Sequence, residues 1–397
     1  MRKIAATYIF PVVEPPIKNG ILVCDDDGTV LDIQKKGDNF CEEAGVEFYS
    51  GILVPGFVNA HCHLELSHLH QKIKEGTGIG GFIGGLNKLR AATAEEQEKA
   101  MQIADRKMWA AGIAAVGDIS NGTASLSVKK KSKIYYHTFV EAFGFHPSRA
   151  EKSFEFARQT FEQFSISGLA ASIVPHSPYS VSGELFRQIQ QHAIQTKKIL
   201  SFHNQESKGE NQFYVDGTGP IADHLRNNLG IDISHWQPTG SSSLQSVLKF
   251  FPKENPLLLV HNTFSEKADI DFLKEKRSHE NTWMVLCPNS NAYIENALPP
   301  VALFQNEKLN ICLGTDSLAS NHQLSILSEM TTLQRDNNQL LLDELIAMAT
   351  LSGACALGVE NQFGSFSKGK KPGVNLISAI DFKQMKLKDN SRVKRIL

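Results

Sequence analysis

The chain has 397 residues, 41% of them hydrophobic and 21% charged, with a net charge of −1, so it can bury a large core as one big domain with an appendage or as two ordinary domains. The even charge balance offers no basic surface for nucleic acid and no acidic tail, and no apolar run is long enough to span a bilayer. Six cysteines stand apart with no CxxC pair, which predicts reduced, mostly buried thiols in a cytoplasmic protein rather than a disulfide framework.

The opening MRKIAATYIFPVVEPP has a charged start but a short apolar stretch broken by Pro11 and lacks the small-residue cleavage pattern of a signal peptide, so it reads as a first strand. Residues 1 to about 52 continue as short strands and turns: KIAATYIFPVV and NGILVC are β-rich, and CDDDGTVLDI places an Asp-Gly turn between apolar segments. From there the texture becomes alternation. Strand candidates are ILVPGFVNAH, GIAAVGDIS, KIYYHTFVEAF, LAASIVPH, KILSFH, PLLLVH, TWMVLC and NICLGTD. Helical candidates with apolar residues at three- and four-residue steps separate most of them, among them AEEQEKAMQIADRKMWAAG, SRAEKSFEFARQTFEQF, GELFRQIQQHAIQ, KADIDFLKEKR and DELIAMATLSGACALG. GIGGFIGG reads as a glycine-rich loop that lacks the lysine and hydroxyl of a phosphate loop, and SHWQPTGSSSLQSV, residues 234 to 247, as a long loop over one face. After about Asn361, GKKPGVNLISAI returns to a turn and a strand. Eight strands with intervening helices are the count for a closed parallel (β/α)8 TIM barrel. An open doubly wound sheet is the alternative, but no GxGxxG follows the first strand.

In such a barrel catalytic groups gather where strands end. VNAHCH ends the first with His61 and His63, IVPHSPYSVS the fourth with His176, ILSFHNQES the fifth with His203, LLLVHN the sixth with His261 and CLGTDSLASN the eighth with Asp316. Any one of these could cap or pack; five histidines and an aspartate at strand ends make a metal site the better explanation. In a strand, residues two apart face one side, so His61 and His63 can share an ion while Cys62 points away. His61, His63, His203 and Asp316 supply a ligand set that suits zinc, with iron(II) or manganese as alternatives. Asp316 is placed to take a proton from an activated water, Glu206 to shuttle a proton to the substrate, and His261 to hydrogen-bond the oxygen that attacks. A helix-start carboxylate is the plainer account of Glu206.

PGFVNAHCHLE, HSPYSVS, HNQES, LVHN, CPNSN and GTDSLASN, in this order, resemble the signatures of the amidohydrolase superfamily, in its branch of mononuclear zinc aminohydrolases. The resemblance runs nearly end to end. It implies a (β/α)8 barrel over residues 53–360 and a small β-sandwich made by both chain ends, 1–52 and 361–397. GKKPGVNLI stands where members usually carry Gly-Lys-x-Ala-Asp-Leu, a departure that touches no catalytic residue. LAASIVPH lacks the fourth-strand lysine that bridges two metals in binuclear members, so one metal is expected. Carried over by motif, His61, His63, His203 and Asp316 are ligands, Glu206 and His261 handle protons, and His176 contacts substrate. Arg149, in FHPSRAEKS, is the nearest counterpart of a substrate-binding arginine, though a solvated helix-start arginine explains it as well. Glu65 either binds substrate or braces the metal histidines from behind.

HLELS is similar to a stretch of the 6-aminodeoxyfutalosine deaminases, enzymes of the menaquinone pathway. The implied reaction is therefore hydrolytic deamination at C6 of an adenine nucleoside, 6-aminodeoxyfutalosine first, with S-adenosylhomocysteine and methylthioadenosine beside it. The same ligands serve guanine or cytosine-type deamination and triazine chlorohydrolysis, and a non-catalytic binding protein of this fold would be expected to have lost ligands. Partners are thus a small nucleoside-like molecule, no nucleic acid and no membrane, with a homodimer in keeping with the branch.

Overall fold

The structure, a computed structural model, describes residues 1–37, 43–89 and 91–397. Both chain ends enter one sheet. β1 (Arg2–Ile9), β2 (Ile17–Lys18), β3 (Gly20–Cys24), β4 (Val30–Lys35) and β5 (Val46–Pro55) come from the first, and β14 (Val374–Ser378) and β15 (Arg392–Arg395) from the second. The order is β15-β14-β5-β1-β3-β4, with β2 on β1. The Asp-Gly turn joins β3 to β4 as expected: Gly28 donates to the Asp25 carbonyl at 3.0 Å with a φ of 86°, which glycine adopts without steric cost. Ile4, Ile9, Leu22 and Leu53 from the front and Val374 and Leu376 from the back form one apolar cluster, so the last strands cover the first. The described strands of the two ends thus pair in one seven-stranded sheet, and the expected boundary at residue 52 falls inside β5.

Between these ends lie eight parallel strands. β6 (Phe57–Cys62), β7 (Ile113–Ser120), β8 (Tyr135–Ala142) and β9 (Ala170–Pro175) pair in that order, and so do β10 (Leu200–Asn204), β11 (Leu257–His261), β12 (Thr282–Leu286) and β13 (Asn310–Leu313). Nearly every residue in them is buried, the signature of parallel strands covered on both faces. Hydrogen bonds join the sheets at both edges: His203 N–H donates to the His176 carbonyl at 3.0 Å, and Thr315 N–H to the His61 carbonyl at 2.9 Å. A Cβ at Gly314 would come within 2.8 Å of the His61 Cβ and 2.9 Å of the Cys287 Sγ; only glycine lets the chain after β13 approach β6 so closely.

All eight strand candidates fall where they were read. The helices Ala94–Ala110, Ala150–Ile166, Gly183–Thr196 and Lys267–Lys276 do too, the first held by a Thr93–Glu96 capping box. DELIAMATLSGACALG is two helices, Leu342–Ala349 and Leu351–Ala356, meeting at Thr350. GIGGFIGG is not a loop. It lies in a helix, Gly78–Leu89, because Ile79, Phe82, Ile83 and Leu86 recur at helical spacing on one face and bury against the core, and that burial outweighs the low helix propensity of glycine. Of SHWQPTGSSSLQSV, the last five residues form the helix Ser243–Val247 capped by Ser242. An unforeseen run of short helices fills 208–228.

The described cysteines are free; Cys24, Cys62, Cys287 and Cys312 are buried and Cys355 partly so, while Cys41 lies outside the described residues. Among the described residues no helix is long and apolar enough to cross a membrane.

Candidate metal centre and substrate cleft

β6 ends at His61 and Cys62, and His63 follows as the chain turns. The His63 Nε2 lies 3.1 Å from the Nε2 of His61 and 3.1 Å from that of His203 at the end of β10. The Asp316 Oδ1 stands 3.3 Å from the His63 Nε2 and 3.7 Å from the His61 Nε2. Burial lowers the pKa of all three imidazoles, so each is held neutral, the form that ligates. His203 Nδ1–H donates to the His176 carbonyl at 2.8 Å, which leaves its Nε2 with a lone pair aimed at the cluster. An ion ~2.0–2.1 Å from each donor in a tetrahedral site would set those donors ~3.3 Å apart, and the measured separations bracket that spacing. The donor set therefore fits a metal ion. Related groupings within 4.8 Å join His61 to His203 and His261, and Glu141 to His176 and His203.

Around the donors stands a layer of hydrogen bonds. Asp316 Oδ2 accepts from the Ser290 and Ser320 hydroxyls, each at 2.6 Å, so Oδ1 alone faces the histidines. His261 Nδ1–H donates to the Asn291 Oδ1 at 2.8 Å, leaving its buried Nε2 without a hydrogen-bond partner and 3.6 Å from the Glu206 Oε1. Burial, then the nearby Asp316 and Glu295, pushes the Glu206 carboxyl well above the usual carboxylate range. That burial favours the neutral form of a carboxyl group lying beside the His261 ring. The Glu206 backbone is steadied by Glu210, whose Oε1 accepts from Gln205 N–H at 2.8 Å. Asp118 Oδ1 accepts from Leu64 N–H at 2.8 Å, directly after His63, and its other oxygen is 2.7 Å from the Lys129 Nζ in an ion pair with no solvent exposure on either side. Gln205, His261, Asn262 and Asp316 all adopt positive φ; four non-glycine residues in that region at three strand ends mark backbone strain gathered at one site.

From the donors a cleft of about 300 Å3 opens, lined at its floor by His63, His203, Glu206, His261 and Asp316 and on its flank by His176. His176 is anchored by its Nδ1 to the hydroxyls of Ser180 at 2.9 Å and Ser177 at 3.0 Å. Arg149 does not line it: the residue is exposed at the turn into Ala150–Ile166. Glu65 is also absent from the lining. It accepts from Asn121 N–H at 3.0 Å and from the Ser125 hydroxyl at 3.4 Å, and the Asn121 side chain donates to Glu141 Oε2 at 2.8 Å, whose Oε1 is 3.4 Å from the His203 Nδ1. Its support to the cluster is relayed through Asn121. The residues unassigned from sequence are Ser290, Ser320, Asn291 and Glu141. The first three sit inside CPNSN and GTDSLASN, so the motifs were visible while the hydrogen bonds were not.

The model of the Amidohydrolase family matches residues 52–394. The adenosine deaminase of Helicobacter pylori is 28% identical over 319 residues, 79% of this chain and 76% of that protein. Among solved structures, Helicobacter pylori aminofutalosine deaminase in complex with methylthio-coformycin superposes with a TM-score of 0.80 at 22% identity, over 95% of this chain and 92% of that one. An adenosine deaminase from Xanthomonas campestris with bound zinc does so with a TM-score of 0.74 at 20% identity, over 97% and 86%. At such identities the structural likeness establishes the fold, and the match of the family model establishes kinship: the chain belongs to the amidohydrolase family, whose chemistry depends on metal.

Proposed function

We propose that the protein is a metal-dependent hydrolytic deaminase acting at C6 of an adenine nucleoside. The observation that supports this best is the pairing of the buried Glu206 carboxyl, whose pKa burial raises, with the open Nε2 of His261 3.6 Å away, beside a cluster of three neutral histidines and one carboxylate. The related proteins, named as adenosine and aminofutalosine deaminases, agree with it. In this reading the two parallel sheets are halves of one (β/α)8 barrel over 53–360, and residues 1–52 and 361–397 are its composite β-sandwich companion.

His61, His63, His203 and Asp316 would hold one zinc ion, which when bound supplies Lewis acidity and brings the pKa of a water towards neutrality. The chain's own groups do the rest. The His261 Nε2, unprotonated because Nδ1–H is committed to Asn291, accepts a hydrogen bond from the attacking water and orients it. Asp316 Oδ1 takes the proton that water loses, while Ser290 and Ser320 hold Oδ2 in place. Glu206 gives its proton to the ring nitrogen beside C6, which withdraws electrons from that carbon as the new C–O bond forms. The C6–N bond then breaks, and the amine leaves as ammonia with the proton Asp316 accepted. The new hydroxyl on C6 returns a proton to Glu206 as it becomes the carbonyl, which restores the acid. Burial of the whole floor keeps these charges away from bulk water, where they would be screened.

The test is UV spectroscopy on zinc-loaded protein offered adenosine, methylthioadenosine, S-adenosylhomocysteine, 6-aminodeoxyfutalosine and guanine. Conversion of the adenine chromophore to hypoxanthine is expected. Silence on every adenine nucleoside with metal verified in the site would defeat the proposal, and loss of guanine alone would replace the substrate.

A further inference from the structure

Beyond the reacting floor the cleft carries polar side chains among apolar ones, and His224 is a buried imidazole among them to which the mechanism gives no task. It is 5% exposed and stands on the turn that follows the short helix Pro220–Asp223. Two features place it there. A Cβ at Gly209 would come within 2.9 Å of the Pro220 Cγ, so a glycine three residues after Glu206 lets this turn pack against the helix Lys208–Asp216. The turn itself is widened: Leu229 N–H donates to the His224 carbonyl, five residues back, at 3.1 Å, a winding frequent at functional sites. It brings His224, Leu225 and Leu229 to the same cleft.

The ring is held in one tautomer. The Asn228 side-chain amide donates to its Nδ1 at 3.1 Å, and burial lowers its pKa, so Nδ1 keeps its lone pair and the proton sits on Nε2. Because Nδ1 is turned back to a residue four further along, the opposite edge of the ring points away from its own turn. Among the described residues no group accepts a hydrogen bond from that Nε2. A buried N–H without an acceptor is costly, and one on a cleft can be satisfied by what the cleft binds.

The reaction narrows the choice of acceptor. With C6 and its neighbouring ring nitrogen at Glu206 and His261, that edge of the purine is engaged at the floor. Burial alone shifts the His224 ring, with no floor carboxylate acting on it, which sets it away from the reacting end. The acceptors a nucleoside carries away from that end are the oxygens of its sugar. Resting on the deaminase reading above, we propose that His224 is a specificity-determining residue whose Nε2–H is donated to a ribose hydroxyl oxygen of the substrate, with Asn228 as the positioning residue that fixes the donor. Selection by His224 is between nucleosides with and without that hydroxyl, and is separate from whatever group C5′ carries.

The experiment measures kcat and KM of the zinc-loaded full chain for the adenine nucleoside of the panel above that it turns over fastest, and for the 2′-deoxy and 3′-deoxy analogues of that nucleoside. The parent should favour the full ribose over one analogue by roughly 10- to 100-fold in kcat/KM, the effect of leaving one buried donor unpaired. His224→Phe keeps a ring and removes the donor, so the preference should vanish through a KM raised about tenfold for the ribonucleoside, with kcat within about threefold. Asn228→Ala, at an exposed position, should narrow the preference several-fold and serves where the phenylalanine variant does not fold. Equal parent turnover of the three, or variants that slow all three alike, would overturn the assignment and leave the deaminase reading standing. A metal-loaded parent inert on the whole panel would instead remove the reading on which this rests.

Discussion

The two halves of the cleft are built on opposite principles. Its floor is polar and braced: two serines hold Asp316, Asn291 holds His261 and the His176 carbonyl holds His203. Its wall is mostly apolar and under-determined, a helix with five glycines among twelve residues that presents Ile79, Phe82, Ile83 and Leu86 to the cleft. Chemistry at the floor depends on positions fixed to within a fraction of an ångström. Selection at the wall depends on area and volume, which many side chains could supply. The difference teaches where single substitutions should be severe and where they should be graded.

The largest effect belongs to the floor. Asp316→Ala removes a donor that two serines and a strained backbone hold in place, and should abolish tight zinc retention and lower turnover by about four orders of magnitude or more; metal analysis after dialysis, read beside the rate, checks it. Glu206→Gln keeps the size of the side chain but not its acid, and should lower kcat by roughly 10²- to 10⁴-fold with metal content unchanged. A rate within threefold of the parent would assign the proton to another group and blur the contrast between floor and wall. Asn291→Ala frees the His261 ring from its tautomer, and a loss of about 10- to 100-fold is expected, visible as lower kcat with little change in KM.

Lys129→Met tests the support beneath the floor. It strands Asp118 as an unpaired buried charge and should cost about 3–5 kcal/mol of stability, measured by denaturant unfolding, whereas Lys129→Met with Asp118→Asn should recover part of it. The smallest effect concerns pH. Burial pushes the Glu210 carboxyl up to about 8, against the pull of Ser243 and the Gln205 amide. The folded protein therefore binds a proton there that the unfolded chain releases near pH ~4.3, and stability falls as pH rises from that value to about 8. Glu210→Gln should flatten the fall, so that melting temperature declines by a few degrees less between pH 5 and 8.

The floor was legible in the sequence and the wall was not, for a physical reason. Histidines at strand ends declare themselves because a parallel strand buried on both faces otherwise wants branched apolar residues; the imidazole that closes NAH, SFH or LVH breaks the run at the strand's end. The eight strands were equally visible, since parallel strands buried on two faces read as apolar runs. The helix Gly78–Leu89 was hidden by its glycines, whose local preference pointed to a loop until tertiary burial of Ile79 and Phe82 decided otherwise. Arg149 lies exposed outside the cleft lining, a placement that proximity in sequence to a strand end does not decide, because it says nothing about which way the chain turns next. Ser290 and Asn291 lay inside a quoted motif, but their partners Asp316 and His261 are 26 and 30 residues away, a pairing that no local pattern encodes, whereas Ser320 stands only four residues from Asp316 in the same motif.

The glycines of that helix also bear on how the cleft breathes. Each costs roughly 0.8–1.0 kcal/mol relative to alanine in a helix interior, so the segment 78–89 has little reason to stay wound apart from the apolar face it presses against the cleft. Its amides should be among the first near the site to exchange with deuterium, and a nucleoside that fills the space against Phe82 should slow them. Nothing stands within 4 Å of a Cβ added at Gly84, so Gly84→Ala would wind the segment tighter without a clash. Such a variant should exchange more slowly even when empty, and the ordering otherwise left to the substrate would already be in place before binding.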